Sequence, residues 1–358
     1  MTSFRVRNFD FFLLLIHLVI FSLGAFAILS TSSSAFQSQL IFFAAGLLLY
    51  FLASTFDYAI IRKPFPILII YVLSIIALGG LFVFGENIRN SVRWYNFKTF
   101  NFQPSEIVKI AAILILAKFL SPMSQKYLST KRAILSLFLV SPFILLIAMQ
   151  PDLGSALVIL GIWAFMVLYA GVNPKHILIF LLAVSLLSYP TWSVLHDYQR
   201  QRVISFIDPY ADPLGSGYNV IQSIVAVGSG EVFGRGFGRG TQSHLRFLPE
   251  YRTDFIFAAF SEEWGFLGSV ILVFFYSGLL YKILAISNKA KDSYFALLSL
   301  GVFSLLFIQS LVNIGMNLGV LPVTGITLPL VSYGGSSLIA TSVLLGLVQG
   351  VAIKSRLW

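Results

Sequence analysis

Ten apolar stretches, each near the length of a bilayer-spanning helix, leave this chain little choice of fold. They read as Phe11–Leu29, Leu40–Ile61, Phe65–Phe84, Ser105–Leu120, Ile134–Met149, Leu153–Val172, Ile177–Leu195, Gly265–Ile286, Tyr294–Gly315 and Leu328–Val351. A helix needs about 20 apolar residues to cross the hydrocarbon core. The runs are continuous rather than alternating, which argues against a transmembrane barrel. Only 11% of the residues are charged, where soluble domains have roughly a quarter. The expected fold is an all-α integral membrane protein of ten transmembrane helices. It reads as a single domain over residues 1–358, with no linker or low-complexity tract. The absence of cysteine excludes a disulfide framework and thiol chemistry.

Charge orients the spans, because Lys and Arg in short loops stay cytoplasmic. One alternating set of connections holds Arg5, Arg7, Arg62, Lys63, Lys118, Lys126, Lys131, Arg132, Lys175, Lys282, Lys289, Lys291, Lys354 and Arg356. Both termini are therefore expected in the cytoplasm. The opposite loops are Ser30–Gln39, Gly85–Pro104, Gln150–Asp152, Asp197–Trp264 and Met316–Thr327. The net charge of +10 is then mostly topological, and no nucleic-acid partner is implied. The short Gly85–Pro104 loop breaks the pattern with Arg89, Arg93 and Lys98, which suggests an anionic partner. The first span contains Ala25-Phe26-Ala27, a signal-peptidase-like site. The run is long enough to span, so the expectation is that it is retained.

The large loop between spans seven and eight carries the chemistry. Gly240–Gly265 places Arg246, Glu250, Arg252 and Asp254 directly before the apolar run FIFAAF. An ionisable residue at a membrane boundary is a functional-site hypothesis. Asp254 either caps the helix that follows it or serves as a general base. Glu106 and Lys109 are three residues apart near the start of a span, so they share a helix face. They form either a structural ion pair or a substrate-facing cavity wall. Asp152 follows Gln150-Pro151 and reads as N-cap or first-turn stabilisation. Asp57 reads as structural, close to Arg62.

Arg93, Lys109, Arg202, Arg246 and Arg252 are candidate phosphate contacts, with guanidinium suited to bidentate phosphate binding; the alternative for the large loop's arginines is a mixed, solvated surface. The Gly234–Gly240 stretch lacks the GK[ST] ending of a Walker loop and reads as a flexible turn. Val220–Val227 is too short to span and reads as a helix lying in the outer interface. Asn313 and Asn317, one helical turn apart, are polar cavity candidates. Four histidines at 17, 176, 196 and 244 do not form a metal set. A divalent cation such as Mg or Mn could share the phosphate role, with carboxylate ligands, but no ligand set is legible.

Several short motifs together carry a family resemblance. They are Arg93-Trp94, Gln103-Pro104-Ser105-Glu106 with Lys109, Gln150–Ala156, Gly217-Tyr218, Gln222-Ser223, Gly228-Ser229-Gly230 and Gly240-Thr241-Gln242. Leu248-Pro249-Glu250, Thr253–Phe257, Glu262-Glu263, Pro322–Gly325 and Ser332–Gly335 complete the set. Over essentially its whole length the chain resembles the shape, elongation, division and sporulation (SEDS) family, and within it the elongation branch. The family usually has histidine at the position of Arg252, glycine at that of Glu231 and lysine at that of Arg235.

The resemblance implies peptidoglycan glycosyltransferase activity on lipid II, at the outer face of the bacterial inner membrane. It also implies a class B penicillin-binding protein as transpeptidase partner. Asp254 would then take the proton of the acceptor's GlcNAc 4-hydroxyl, with inversion at the donor, as the base does in an inverting glycosidase. Two other readings stand beside it. Glu106, Lys109 and Asp57 could line a lipid II transport path, or the chain could be a non-catalytic scaffold for the penicillin-binding protein.

Overall fold

The computed structural model describes residues 9–56, 62–88, 91–97, 101–121, 129–173 and 197–355, with residues 60, 175, 178 and 182. Its first helices are α1 (Phe11–Thr31), α2 (Ser33–Thr55) and α3 (Pro64–Phe84). Three strands follow, β1 (Glu86–Ile88), β2 (Ser91–Asn96) and β3 (Asn101–Phe102). Next come α4 (Pro104–Leu120), α5 (Thr130–Met149) and α6 (Leu153–Tyr169). The large loop holds α7 (Asp197–Ile207), α8 (Tyr218–Ser229) and the single turn α9 (Thr241–His244). The chain closes with α10 (Ile256–Lys289), α11 (Ser293–Asn317) and α12 (Gly335–Ser355).

Seven of these helices are long and apolar enough to cross a membrane: α1, α2, α3, α5, α10, α11 and α12. Helices α4 and α6 have 17 residues each, at the short limit for spanning. The stretch Ile177–Leu195 falls almost entirely outside the described residues, as does Asp57. Phe65, Leu73, Ile76, Phe138 and Leu145 are exposed on α3 and α5. Water would not tolerate so broad an apolar surface, whereas hydrocarbon does. The chain is a multi-pass membrane protein.

Local chemistry sets the helix ends. Asp10 accepts from Leu13 N at 3.2 Å and starts α1. Ser32 closes α1 through its amide on Ile28 O (2.9 Å) and opens α2 through its hydroxyl on Ala35 N (3.3 Å). That double cap starts α2 at Ser33, earlier than the Leu40 read from hydropathy. Proline begins α3 and α4, where a missing amide costs nothing. At the other end of the chain, α12 starts at Gly335 rather than at the Leu328 read from hydropathy. Pro329 lies within that segment, and proline cannot donate a helical hydrogen bond and disfavours helix in the residue before it.

The all-α expectation needs one correction. Strands β1, β2 and β3 form an antiparallel sheet in that order inside the Gly85–Pro104 loop. Val92, Trp94 and Tyr95 are β-branched or aromatic and favour a pleated, half-buried surface. The Tyr95 hydroxyl donates to Ala77 O on α3 at 2.9 Å and ties the sheet to the bundle.

Helices α11 and α12 are the most enclosed of the long helices. Helices α2 and α12 share the most extensive contact in the bundle. A Cβ on Gly46 would strike the Ser342 side chain, and one on Gly346 would strike the Tyr50 carbonyl. Such small-residue contact lets helix backbones approach within a membrane.

Helix α10 begins at Ile256 and breaks at Gly265, where φ is 67°. The break frees backbone groups that the glycine-rich stretch collects. Arg235 and Gly236 amides donate to Glu262 O and Glu263 O, both at 3.0 Å. Phe266 and Leu267 amides donate to Glu231 O (2.9 Å) and Val232 O (3.1 Å). Gly234, at φ 81°, lies back to back with Gly265, and a Cβ on either would strike the other segment's backbone. The expected flexible turn is instead a splint across a broken helix. It is there because buried backbone groups must be paired.

Candidate active site

Asp254 sits just before α10, on a turn whose carbonyls are tied down one after another. Tyr333 N donates to Arg252 O at 2.8 Å, and Ser332 Oγ to Thr253 O at 2.7 Å. Asn313 Nδ2 and Asn317 Nδ2 both donate to Asp254 O, at 2.9 and 3.0 Å. Asn317 Oδ1 accepts from Ala258 N (2.9 Å), and Asn313 also holds Ile326 O (2.7 Å). On the upstream side, the Thr253 and Phe255 amides both donate to Glu250 O at 3.1 Å. Both asparagines thus fix the backbone that aims the aspartate.

The capping role for Asp254 fails on geometry. The N-cap of α10 is Phe255, with no side-chain cap bond. Thr253 Oγ1 turns back to Glu250 Oε2 at 3.0 Å. The carboxylate of Asp254 instead faces Gly325, where an added Cβ would lie 3.4 Å from Oδ2. Its pKa is pushed up to about 6, first by burial and then by the Glu250 charge. Arg202 and Arg93 pull it down and Asp152 pushes it up. A carboxyl poised near neutrality is what a general base requires.

Five sequence candidates therefore converge: Asp254, Glu250, Arg202, Arg93 and Asp152. Arg202 is held through Nη1 on Thr324 O at 3.2 Å. Arg93 donates to Pro151 O and reaches Asp152 at 3.7 Å. Asp152 also caps α6 by accepting from Ser155 N at 3.2 Å. The Gln150-Pro151-Asp152 turn thus fixes Arg93.

The other candidates lie apart. Arg252 is adjacent to Asp254 in sequence, yet its guanidinium turns to Thr31 O (3.3 Å) and the Tyr251 hydroxyl (2.7 Å). It also stacks 5.0 Å over the Tyr251 ring. Arg246 is exposed on the loop with φ 61°. Glu106 and Lys109 pair with each other at 2.6 Å and are both buried. Arg62 pairs with Asp292. The transport-path reading rested on Glu106, Lys109 and Asp57; the first two neutralise one another, and the third lies outside the described residues.

Three positions that sequence reasoning did not single out help build the site. Thr324 holds Arg202, and Gly325, at φ 76°, faces the carboxylate. Gln39 is wholly buried and donates to Ser332 O at 3.1 Å. The first two lay in a recognised motif without a role. Gln39 looked like a loop residue, and no local pattern marks it.

A family model described as cell cycle protein, for the FtsW, RodA and SpoVE type, matches residues 6–357. The chain belongs to this family. It is 41% identical over 287 residues to the peptidoglycan glycosyltransferase MrdB of Escherichia coli K12, covering 79% of this chain and 76% of that protein. Stage V sporulation protein E of Bacillus subtilis is 36% identical over 97% of this chain and 98% of its own length. Among solved structures, a chain from a peptidoglycan synthase complex that coordinates polymerization and crosslinking superposes with a TM-score of 0.84. It is 33% identical and covers 97% of this chain and 98% of that one. The rod shape determining protein RodA of Thermus thermophilus gives 0.72 at 30% identity, over 96% of each chain. The RodA-like relationship expected from the short motifs is thus established over nearly the full length.

Proposed function

We infer that Asp254 is the general base of a glycosyl transfer, and that this family member is a peptidoglycan glycosyltransferase acting on lipid II. The observation that carries the assignment is a carboxyl whose pKa is raised to about 6, freed from helix capping, with its backbone carbonyl held by Asn313 and Asn317. The acceptor's GlcNAc 4-hydroxyl gives its proton to Asp254. Its oxygen bonds to the anomeric carbon of the donor MurNAc as the bond to the lipid diphosphate breaks, with inversion. The diphosphate leaves with the electron pair. Arg202 and Arg93 are the cations suited to that developing charge, since preorganised charges act where charge appears.

Removing either cation should lower turnover on the order of 100-fold at matched protein amounts. Arg252→Gln should cost much less, because its guanidinium faces Thr31 and Tyr251. Wild-type rates for Arg93→Gln and Arg202→Gln would move the diphosphate contact elsewhere.

Among the described residues, no three His, Cys, Asp or Glu side chains gather as a metal-holding group. Glu250 and Asp254 supply two carboxylates, short of an all-protein cage. A Mg or Mn ion would have to draw its remaining ligands from water and the substrate's phosphates.

The topology we propose has ten spans, both termini in the cytoplasm, and Asp254 at the outer face of the inner membrane. The one-sided distribution of Lys and Arg supports it. A class B penicillin-binding protein is the proposed transpeptidase partner, supported by the likeness to the synthase complex.

The deciding experiment gives purified protein lipid II and follows glycan strands across pH. Asp254 must be deprotonated to accept a proton. Strand synthesis should therefore rise through an acidic limb near 6, the value for Asp254. Absence of polymer at every pH would refute the enzymatic reading and favour the transporter or scaffold.

A further inference from the structure

Glu262 has a chemistry that the transfer reaction does not use directly. It is wholly buried, and among the described residues no cation pairs with it. A buried carboxylate in that state depends entirely on N–H and O–H donors. All of those donors come from one turn. Oε1 accepts from Thr241 Oγ1 (3.2 Å) and Gln242 N (2.8 Å). Oε2 accepts from Ser243 N (3.2 Å) and Ser243 Oγ (3.1 Å). His244, next in the chain, bonds Glu263 at 2.9 Å.

This clamp leads to the site. Gln242 O accepts from Leu248 N at 3.0 Å, and Leu248 is wholly buried. Glu250 follows in a left-handed conformation, φ 52°, and its carbonyl takes the Thr253 and Phe255 amides. The loop leaves the first half of α10 at Asp254 and is tied back to that same half-helix at Glu262. The splint from Glu231 to Gly236 keeps the half-helix from straightening.

We propose that Glu262 is a positioning residue for the glycosyl transfer, holding the Gly240–Ser243 turn so that Glu250 stays beside Asp254. The inference rests on Asp254 as the base. A plain structural brace would affect protein level and nothing else, so the test needs a readout tied to Asp254. The groups acting on Asp254 are Glu250 from the loop, Arg202 from α7, Arg93 from β2 and Asp152 from the cap of α6. Loosening the loop removes the upward push of Glu250 and of burial, while both arginines still pull down. The acidic limb of activity then moves to lower pH.

Glu262→Gln keeps the shape but turns an amide NH2 toward backbone donors. Ser243→Ala removes one donor and serves if the first variant fails to fold. In purified protein given lipid II, Glu262→Gln should lower turnover on the order of 10- to 100-fold and shift the acidic limb downward. Ser243→Ala should do the same more weakly. Hydrogen exchange should quicken at the amides of Gln242, Ser243, Leu248 and Phe255, and stay unchanged in α11 and α12. A limb that coincides with wild type while turnover falls overturns the proposal, as does unchanged exchange over residues 240–255. Asp254→Asn is measured alongside. If that variant polymerises, the base assignment fails by itself, and the exchange data alone decide whether Glu262 holds the loop.

Discussion

Replacing Asp254 by asparagine drops lipid II polymerisation by about 100- to 10,000-fold, the usual contribution of a positioned general base. The exchange is nearly isosteric. It leaves the backbone bonds from Asn313, Asn317 and Ser332 in place, because each contacts a carbonyl and none contacts the side chain. Folding should therefore be untouched, with yield and thermal midpoint matching wild type. Rates are compared at equal protein amounts across pH. Near-normal strand synthesis by this variant would remove the base assignment.

The second large effect is expected at Glu106 and Lys109. Their ion pair spans one helical turn of α4, and both side chains are almost fully enclosed. Alanine at either position strands the other charge in the bundle, at a cost of about 3–5 kcal/mol. Expression, thermal midpoint and activity should all fall in each single variant. Removing both partners relieves the stranded charge, so the double variant should be more stable than the sum of the singles predicts. Additive losses in a double-mutant cycle would show that the two do not act as a unit. The pair is close in sequence, and its i,i+3 spacing alone predicted a shared face. Whether that face touches substrate is a separate question, which the activity of the double variant addresses.

Legibility differed from place to place for physical reasons. Hydrocarbon burial is a property of composition, so α1, α3 and α5 could be read from their apolar runs within a few residues. Helix ends set by distant partners could not. Hydropathy alone starts the eighth span at Gly265, because Glu262, Glu263 and Trp264 read as loop. In the structure these residues continue a helix begun at Ile256, and their charges are absorbed by the turn at Thr241–His244. The sheet at β1–β3 was missed because a short strand pair carries too little pattern to outweigh its loop-like charge.

The residues of the site divide the same way. By itself the sequence determined that a carboxylate would stand at the head of an apolar helix among arginines, since that follows from order along the chain. It also placed Glu106 and Lys109 on one helix face and Asp152 at a helix start, which are relations within one turn. Only the tertiary structure decided which cations serve Asp254. Arg252, its near neighbour in sequence, turns away to Thr31 and Tyr251. Arg93 and Arg202, each dozens of residues distant in the chain, act on it. A guanidinium goes where carbonyls fix it, and the carbonyls that fix Arg93 and Arg202 belong to Pro151 and Thr324, brought close only when the helices assemble.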